Sequence, residues 1–336
     1  MTKFFNAVQT FTEKRLTYRK ARKMAKQAKK PTFISELLGW LDALVFGVVV
    51  VLLINQFLFQ LFVIPSPSMV ETLNVKDRVF VSKAIYGIEL YPYGPKILNS
   101  RKPDRDDIIT FYNPTYKNKG SIASILSRAL YMITFGLVNI EKNENGDPAE
   151  WLLVKRSAGK SGDTVTFENG EALIKASGTS NYIYEKIFRE ENGLSTAPHR
   201  SIPDSFYPNY SVYVRLKTLL EDLKISEKNI PSFSYLSNIY NNWIKTDETD
   251  YFDDYAYNKE YEMTKRSFDP SDMNTRSLWT KYNLGVYVPD GYILPLGDNR
   301  DNSYDGRYFG PVKTSNITGK LITFFWPLSR FGHTPS

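Results

Sequence analysis

The chain has 336 residues, of which 42% are hydrophobic, 15% aromatic and 24% charged, with a formal net charge of +7. This composition is typical of a folded globular protein and not of a disordered or fibrous one. The chain contains no cysteine, which excludes disulfides, thiolate nucleophiles and thiolate metal sites. With only His199 and His333, a histidine metal cage and a Ser-His-Asp triad are also disfavoured. Acid–base or nucleophilic chemistry would therefore fall to Asp, Glu, Lys, Tyr or Ser.

Basic residues are concentrated at the start of the chain. Residues 1–30 carry a net charge of +9, whereas the other 306 residues sum to −2. A basic arm of this kind can bind nucleic acid. However, it is followed by an uncharged apolar run over 43–64. Because about 20 apolar residues span a bilayer as a helix, we interpret 1–36 as a basic cytoplasmic arm and 37–63 as a membrane anchor.

The arm and the anchor together predict a topology. The charged region is too long for a cleavable signal peptide, and no A-x-A cleavage site follows the apolar run. The positive-inside rule keeps the basic arm in the cytoplasm and places the chain from residue 64 onward outside the cytoplasmic membrane. We therefore expect a single-pass membrane protein whose partners include membrane lipid and no nucleic acid.

Beyond the anchor, the hydrophobic pattern mostly has period two, which predicts strands. Short β-branched and aromatic runs bounded by polar residues occur at 78–81 and 151–154. A hairpin is predicted over 164–174 around an Asn-Gly turn, and a second over 286–294 around an Asp-Gly turn. The last predicted strand covers 321–326.

The β pattern is interrupted between 175 and 281, where helical periodicity and an acidic, tyrosine-rich stretch appear. We therefore predict a mainly β protein in which one transmembrane helix precedes a body of mostly antiparallel sheets. The body has two parts, 64–174 and 282–336, and a mixed α/β insert over 175–281 separates them. A further apolar stretch, 129–140, is too short to cross a bilayer; it is either a buried element or an interfacial segment against the membrane.

Two serines lie where the chain leaves the predicted anchor, in the sequence IPSPSM over 64–69. Pro65 and Pro67 restrict the backbone and hold Ser66 and Ser68 extended. A serine held rigidly at this place can act as a nucleophile. The alternative is a capping serine in a turn at the membrane exit.

Lys155 ends the apolar run 151–154. Burial disfavours the ammonium form and lowers the pKa of a lysine, and a neutral lysine can take a proton from a serine. Since the chain has only two histidines, Lys155 is our candidate for that base, and a surface lysine at a strand end is the alternative. We expect the neighbouring Arg156 to matter far less.

The segment 297–307 is dense in Asp, Asn and Arg and follows a predicted strand directly. It does not have the ligand spacing of a calcium loop, and Arg300 and Arg307 would crowd a cation. We therefore expect a hydrogen-bonded scaffold in which Asp305 pairs with Arg307 and Ser303 points inward. A solvated turn is the alternative.

Together these segments resemble the type I (leader) signal peptidases, membrane-anchored serine proteases that remove signal peptides from exported proteins. That family has an IPSGSM-like motif after its anchor, followed by GDxVxV, RGDIVVF, KRxxGxPGD and GDNxxxSxDSR motifs. The matching segments here, in the same order, are 64–69, 76–81, 105–111, 155–163 and 297–307. The basic arm and the insert lie outside the resemblance.

The resemblance implies Ser68 as the nucleophile and Lys155 as the general base, with no metal and no cofactor. It also implies the Ser66 hydroxyl and the Ser68 amide as oxyanion donors. Three supporting residues are implied: Ser303, which would orient Lys155, and Asp305 and Arg307. The sequence departs from the family pattern at Pro67 and Asp106, where the family has glycine, at Ser161, where it has proline, and at Gly306, where it has serine.

The implied activity is that of a monomeric endopeptidase acting on the signal peptides of exported preproteins at the outer face of the cytoplasmic membrane. The family prefers small side chains at two positions of the substrate, the last and the third-last residue before the cut. Two alternatives remain. Self-cleaving repressors of the DNA-damage response are also Ser-Lys peptidases, but they are soluble and carry a DNA-binding domain. A catalytically inactive, membrane-tethered binding module, whose insert holds a partner, belongs to a different class.

Overall fold

The computed structural model describes residues 2–27, 33–90, 93–97, 101–116, 150–196, 198–200, 207–244 and 252–333, together with positions 127, 130, 133, 134, 138, 202 and 205. The chain divides into two compact units, 1–51 and 52–336, so the β body and the insert share the second unit. Most of the apolar stretch 129–140 lies outside the described residues.

The first two elements are helices. Helix α1 covers Thr2–Gln27 in the basic arm, and α2 covers Phe33–Phe57. The 22 residues Glu36–Phe57 are long and apolar enough to cross a membrane. The apolar residues that follow, Phe59–Val63, form a strand and not a continuation of the helix. The β body therefore begins before residue 64, because apolar character alone does not separate a membrane helix from a buried strand.

Thirteen strands occur in the described residues: β1 Phe59–Val63, β2 Arg78–Ser82, β3 Ile88–Glu89, β4 Lys96–Ile97, β5 Ile108–Tyr112, β6 Leu152–Gly159, β7 Thr164–Glu168, β8 Glu171–Lys175, β9 Ile183–Tyr184, β10 Val286–Tyr287, β11 Tyr292–Leu296, β12 Val312–Lys313 and β13 Ile317–Trp326. They form a seven-stranded sheet in the order β1-β2-β13-β5-β6-β11-β12, a four-stranded sheet in the order β10-β7-β8-β9, and the pair β3-β4. The pairings between these strands are antiparallel, which confirms the predicted body.

The predicted Asn-Gly hairpin is confirmed. Strands β7 and β8 pair along their whole length, from Thr164 opposite Lys175 to Glu168 opposite Glu171. Asn169 and Gly170 between them have φ values of 49° and 75°. Asparagine and glycine tolerate this left-handed conformation best, which explains why the chain turns there.

The second predicted hairpin is wrong. Strand β10 pairs with β7, whereas β11 pairs with β6 and β12. The reason lies at Val288, which accepts from the Gly162 amide at 2.8 Å and donates to the Asp163 carbonyl at 2.9 Å. These bonds attach the chain to the turn before β7, so the Asp-Gly turn carries it from one sheet to the other.

The insert is more helical than predicted. Its described residues form α3 Glu185–Glu191, α4 Tyr207–Lys217, α5 Phe233–Ile244, α6 Phe252–Arg266 and α7 Met273–Leu284. The two-residue β9 is the strand that the described part of 176–281 contributes. Helix α7 begins at a cap, since the Asp272 carboxylate accepts from the amides of Asn274 and Thr275. A last short helix, α8, covers Gly306–Phe309 in the second part of the β body.

The centre of the large sheet is buried on both faces. Every residue of β5 is buried, and Ile108 packs in a different apolar cluster from Ile109. On the neighbouring strand β6, Lys155 lies opposite Ile109 and Arg156 lies opposite Ile108. Because successive residues of a strand point to opposite faces, the sheet carries one buried basic side chain on each face.

Candidate active site

Ser68 lies in a single 3-10 turn, Pro67–Met69, a few residues after β1. Proline suits the first position of a helical turn, because its φ is already fixed and its missing N–H has no helical partner there. The turn is closed by the Val70 amide, which donates to the Pro67 carbonyl at 3.0 Å. Ser68 is only 8% exposed. Its hydroxyl is therefore held in a defined position.

Lys155 contacts the Ser68 hydroxyl. The distance between Lys155 Nζ and Ser68 Oγ is 2.6 Å, although 87 positions separate the two residues in the sequence. Lys155 is 3% exposed and is fixed on β6 by its ladder with β5. The structure thus brings together the predicted nucleophile and the predicted base, and Lys155 is not a surface residue.

The Ser66 hydroxyl lies beside the same centre. Its Oγ is 3.4 Å from Ser68 Oγ, and the residue is half-buried. Two serine hydroxyls and one amine therefore converge where the chain enters the 3-10 turn. The predicted role of Ser66 as an oxyanion donor stays a prediction.

Ser303 is fully buried, and its Oγ has no hydrogen-bond partner among the described residues. Ser303 and Ser68 both pack closely against Gly297. A Cβ atom at position 297 would collide with Ser303 Oγ and would lie 2.6 Å from the Ser68 carbonyl oxygen. Glycine is therefore required here for close packing. The structure places Ser303 against the Ser68 backbone, and its predicted role in orienting Lys155 stays a prediction.

The 297–301 loop, which follows β11, supports the nucleophile turn. The Asn299 amide donates to the Ser68 carbonyl at 3.1 Å, and Asn299 Nδ2 donates to the Pro67 carbonyl at 3.3 Å. Next to it, Asp298 Oδ2 accepts from the Thr72 hydroxyl at 2.6 Å. The loop therefore bonds to the backbone of the Ser68 turn and to the side chain of Thr72.

A buried ion pair fixes this loop to β6. Arg156 donates to both carboxylate oxygens of Asp298, at 2.8 and 2.7 Å, and neither side chain is more than 1% exposed. Burial acts to raise the pKa of Asp298, but the hydrogen bonds and charge of Arg156 outweigh it and hold that pKa below its usual value. Arg156 thus compensates a fully buried carboxylate, while the expectation that its loss weakens activity far less than loss of Lys155 stays a prediction.

The predicted scaffold pair is present at the end of the same segment. Asp305 accepts from Arg307 Nε at 3.0 Å, from the Arg307 amide at 3.1 Å and from the Gly297 amide at 2.9 Å. Both side chains are buried, and Arg307 also donates to the Ser303 carbonyl at 3.1 Å. The pKa of Asp305 is lowered, since the charge of Arg307 and these hydrogen bonds outweigh burial. The pair closes the segment as a rigid unit.

Comparisons with known proteins place the chain in a family. The family described as "Signal peptidase, peptidase S26" matches residues 37–326. The chain belongs to this family. It is 27% identical over 301 residues to a signal peptidase I of Haemophilus influenzae, covering 87% of this chain and 70% of that one. It is 28% identical over 303 residues to a signal peptidase I of Buchnera aphidicola, covering 89% and 77%.

Among solved structures, the chain is similar to a signal peptidase I from Enterococcus faecalis V583. The sequence identity is 18% and the TM-score is 0.23, with 66% of this chain and 97% of that one covered.

The departure from the S26 pattern at Asp106 has a structural explanation. Its φ is 73°, in the left-handed region that glycine adopts freely and aspartate tolerates better than most residues. The carboxylate accepts from the Ser195 amide at 3.0 Å and from the Arg189 guanidinium of the insert. The family glycine is thus replaced by a residue that keeps the backbone conformation and adds a contact to the insert.

The departure at Gly306 also follows from packing. A Cβ atom at this position would lie 2.6 Å from Leu294 Cδ1 and 2.8 Å from the Pro295 carbonyl oxygen. The family serine would not fit without movement of β11. The Asp305 network does not need that serine, since its carboxylate is already satisfied by Gly297 and Arg307.

Sequence reasoning missed the roles of Thr72, Arg156, Asp298 and Asn299. One signal for the charged members was available. Buried acids and bases need partners. The segment 297–307 places acidic and basic residues directly after an apolar strand, and Arg156 closely follows another apolar run, 151–154. The roles of Thr72 and Asn299 depend on tertiary contacts that no local pattern shows.

Proposed function

We propose that this protein is a serine endopeptidase that removes signal peptides from exported preproteins, with Ser68 as nucleophile and Lys155 as general base. The observation that carries the proposal is the 2.6 Å contact between Lys155 Nζ and Ser68 Oγ in a buried site. The substrate class is supported by family membership and by the matched relatives, which are signal peptidases I.

In the proposed reaction, Lys155 Nζ takes the proton of the Ser68 hydroxyl as Oγ bonds to the carbonyl carbon of the scissile peptide. The negative charge on the carbonyl oxygen is stabilised by the Ser68 N–H and the Ser66 hydroxyl, each typically worth about 3–4 kcal/mol. Lys155 returns the proton to the departing amine, which leaves an acyl ester on Ser68. Lys155 Nζ then takes a proton from a water molecule, whose oxygen bonds to the ester carbonyl carbon. The bond from that carbon to Ser68 Oγ breaks, Lys155 returns the proton to Oγ, and the acyl group leaves as a carboxylic acid.

The position of Lys155 suits this role. Burial disfavours an ammonium ion relative to a neutral amine, and Lys155 lies on β6 among strands that are buried on both sides. Ser66 lies 3.4 Å from the attacking oxygen, which is close enough for its hydroxyl to reach the carbonyl oxygen of a bound peptide. Both features support a site prepared for acyl transfer.

The proposal includes a topology. Helix α2 would cross the cytoplasmic membrane once, with the basic α1 inside and the catalytic body outside. The +9 charge of residues 1–30 supports this orientation through the positive-inside rule. Protease treatment of spheroplasts should digest the body and spare the arm. Digestion of the arm with the body protected would reverse the topology.

The direct test is cleavage of a synthetic preprotein in detergent by the wild-type chain and by Ser68→Ala. The wild type should release the signal peptide. Across a library of substrates it should cleave best those with small side chains at the last and the third-last residue before the cut. The variant should insert and fold but not cleave. A folded wild type that binds the preprotein without cutting it would instead support a tethered binding module.

A further inference from the structure

The 297–301 loop is hydrogen-bonded to the backbone of the residue that contacts Lys155. Asn299 donates to the carbonyl of Ser68 at 3.1 Å, and the hydroxyl of the same serine is 2.6 Å from the Lys155 amine. A shift of this loop would therefore alter the contact between the proposed nucleophile and base. Displacements of about 1 Å in a catalytic site can cost about 100-fold in rate.

The other side of this loop is bound by the insert through an ion pair. Glu185, the first residue of α3, accepts from both terminal nitrogens of Arg300, with a distance of 2.9 Å from Nη2 to Oε1. The two side chains are only 7% and 5% exposed. Arg300 Nε also donates to the Gly297 carbonyl at 2.8 Å. The guanidinium therefore joins the insert to both ends of the loop.

Backbone contacts reinforce this junction. The His199 amide donates to the Asp298 carbonyl at 2.9 Å, and the Arg300 amide donates to the His199 carbonyl at 3.0 Å. Asp301 accepts from the Ile202 amide at 2.7 Å. His199 and Ile202 of the insert thus contact three positions of the loop, 298, 300 and 301, in addition to the ion pair.

A second chain of ion pairs connects the insert to the same loop. Arg189 of α3 pairs with Asp106, and Arg156 Nη1 lies 3.4 Å from the same carboxylate. Arg156 in turn holds Asp298. The insert therefore contacts the Ser68 support through two routes, a buried one through Glu185 and a partly buried one through Arg189 and Asp106. Asp106 stands where the resembling family has glycine, so the partner of Arg189 is a feature of this sequence.

We propose that Glu185 and Arg189 are positioning residues of the Ser68 site, and that the insert holds the 297–301 loop in the conformation required for acyl transfer. The inference rests on the proposed function in that it takes Ser68 to be the nucleophile. Neither residue touches the serine or the lysine. Their effect is transmitted through Arg300, Asp298 and Asn299.

The test compares Glu185→Gln and Arg189→Gln with the wild type in the full-length, detergent-solubilised protein. Each variant is measured for kcat and KM on a synthetic preprotein, for the rate at which a β-lactam ester acylates Ser68, followed by intact mass, and for its Tm. Lys259→Gln is the matched control, because Lys259 forms an ion pair with Asp222 of the insert, 2.6 Å long, away from the loop.

We expect kcat and the acylation rate to fall by about 10- to 100-fold in both loop-facing variants, with KM nearly unchanged. The Lys259→Gln control should match the wild type in kcat, KM and acylation rate. Equal acylation rates in folded Glu185→Gln, folded Arg189→Gln and wild type would overturn the proposal.

A double variant separates positioning from stability. Glu185→Gln leaves Arg300 buried and unpaired, whereas Glu185→Gln with Arg300→Gln removes both charges and should recover much of the Tm. Because the contact between Glu185 and Arg300 is still missing, kcat and acylation should stay low. Recovery of both together with the Tm would show that the contact only stabilises the fold and would overturn the positioning role.

The two readouts also separate this proposal from the proposed function. A wild type that is acylated at Ser68 but cuts no preprotein would refute signal-peptide removal, while the acylation rates would still support or overturn the role of Glu185 and Arg189. Ser68→Ala provides the blank for acylation.

Discussion

The Arg156–Asp298 pair beside the active site and the Lys259–Asp222 pair of the insert have similar geometry but different surroundings. Their N–O distances are 2.7 and 2.6 Å. The first pair is at most 1% exposed, whereas the side chains of the second are 33% and 27% exposed. The two pairs thus differ in burial and not in distance, and burial should decide how much each one contributes to the free energy of unfolding.

The physical reason lies in what happens when one partner is removed. At an exposed site water replaces the missing partner, so the median contribution of such pairs is about 0–1 kcal/mol. At a buried site the remaining charge is left without compensation, and the loss is about 3–5 kcal/mol. We therefore expect a substitution that removes one charge but keeps the side-chain shape to cause a large loss of stability at the Arg156–Asp298 pair. The same kind of substitution at the Lys259–Asp222 pair should cause a small loss.

The largest effect should come from Lys155→Arg. Arginine keeps the charge and much of the length, but a guanidinium cannot accept the serine proton. We expect cleavage to fall by about 10²–10⁴-fold or more, since that is the usual contribution of a general base. Initial rates on a synthetic preprotein check this.

Lys160→Arg is the matched control for this substitution. Lys160 follows β6 directly and pairs at the surface with Asp104 at 2.7 Å, a contact that arginine can also make. It should retain normal activity. Substantial cleavage by Lys155→Arg would show that the base lies elsewhere and would end the Ser-Lys mechanism.

Asp298→Asn should produce the largest loss of stability. The amide keeps the shape of the side chain but removes the buried counter-charge of Arg156, which keeps only the partly exposed Asp106 carboxylate at 3.4 Å. The free energy of unfolding should therefore fall by about 3–5 kcal/mol. Urea denaturation measures this value. A loss below about 1 kcal/mol would place the pair with the exposed class.

The pH dependence gives a second check on Asp298. Because its pKa is lowered in the folded state, its contribution is present above the unfolded value of about 3.9 and is lost as pH falls through the lowered folded value. The wild type should therefore lose more stability than Asp298→Asn across that acidic range. Parallel pH profiles for the two proteins would contradict the sign.

Sequence reasoning succeeded where chemistry is local or a motif is shared. Rigid serines, a lysine at the end of an apolar run and an Asn-Gly turn are visible in short windows. The contact between Ser68 and Lys155 followed from the resemblance, since 87 positions separate the two residues. The large sheet followed from period two.

The misses in strand pairing and in ion pairing are long-range. The Asp-Gly turn at Asp290 gave no indication that Val288 would bond to Gly162 and place β10 in another sheet. The pairing of Glu185 with Arg300 spans 115 positions. Local periodicity shows which face of an element is apolar, but not which charged residue of a distant element will compensate a buried one.

Gly306→Ser restores the family residue and should nevertheless destabilise this chain. Its Cβ would press on Leu294 and on the Pro295 carbonyl of β11. Overpacking of a tight core typically costs about 1–3 kcal/mol, which urea denaturation can resolve. Gly306→Ala should lose a similar amount, because the collision involves the shared Cβ. A neutral effect of both would show that β11 adjusts freely.

The smallest effect should come from Lys259→Gln. Its partner Asp222 remains solvated when the lysine is lost, so we expect a change of about 0.2–1 kcal/mol in the free energy of unfolding. A double-mutant cycle with Asp222→Asn isolates the coupling between the two side chains. Raising the salt concentration toward 1 M should reduce that coupling, since the Debye length shrinks to about 3 Å. The loss caused by Asp298→Asn should persist in the same buffer, because a buried pair is screened much less. A Lys259–Asp222 coupling above about 2 kcal/mol, well beyond the range of exposed pairs, or one insensitive to salt, would remove the distinction between the two regions.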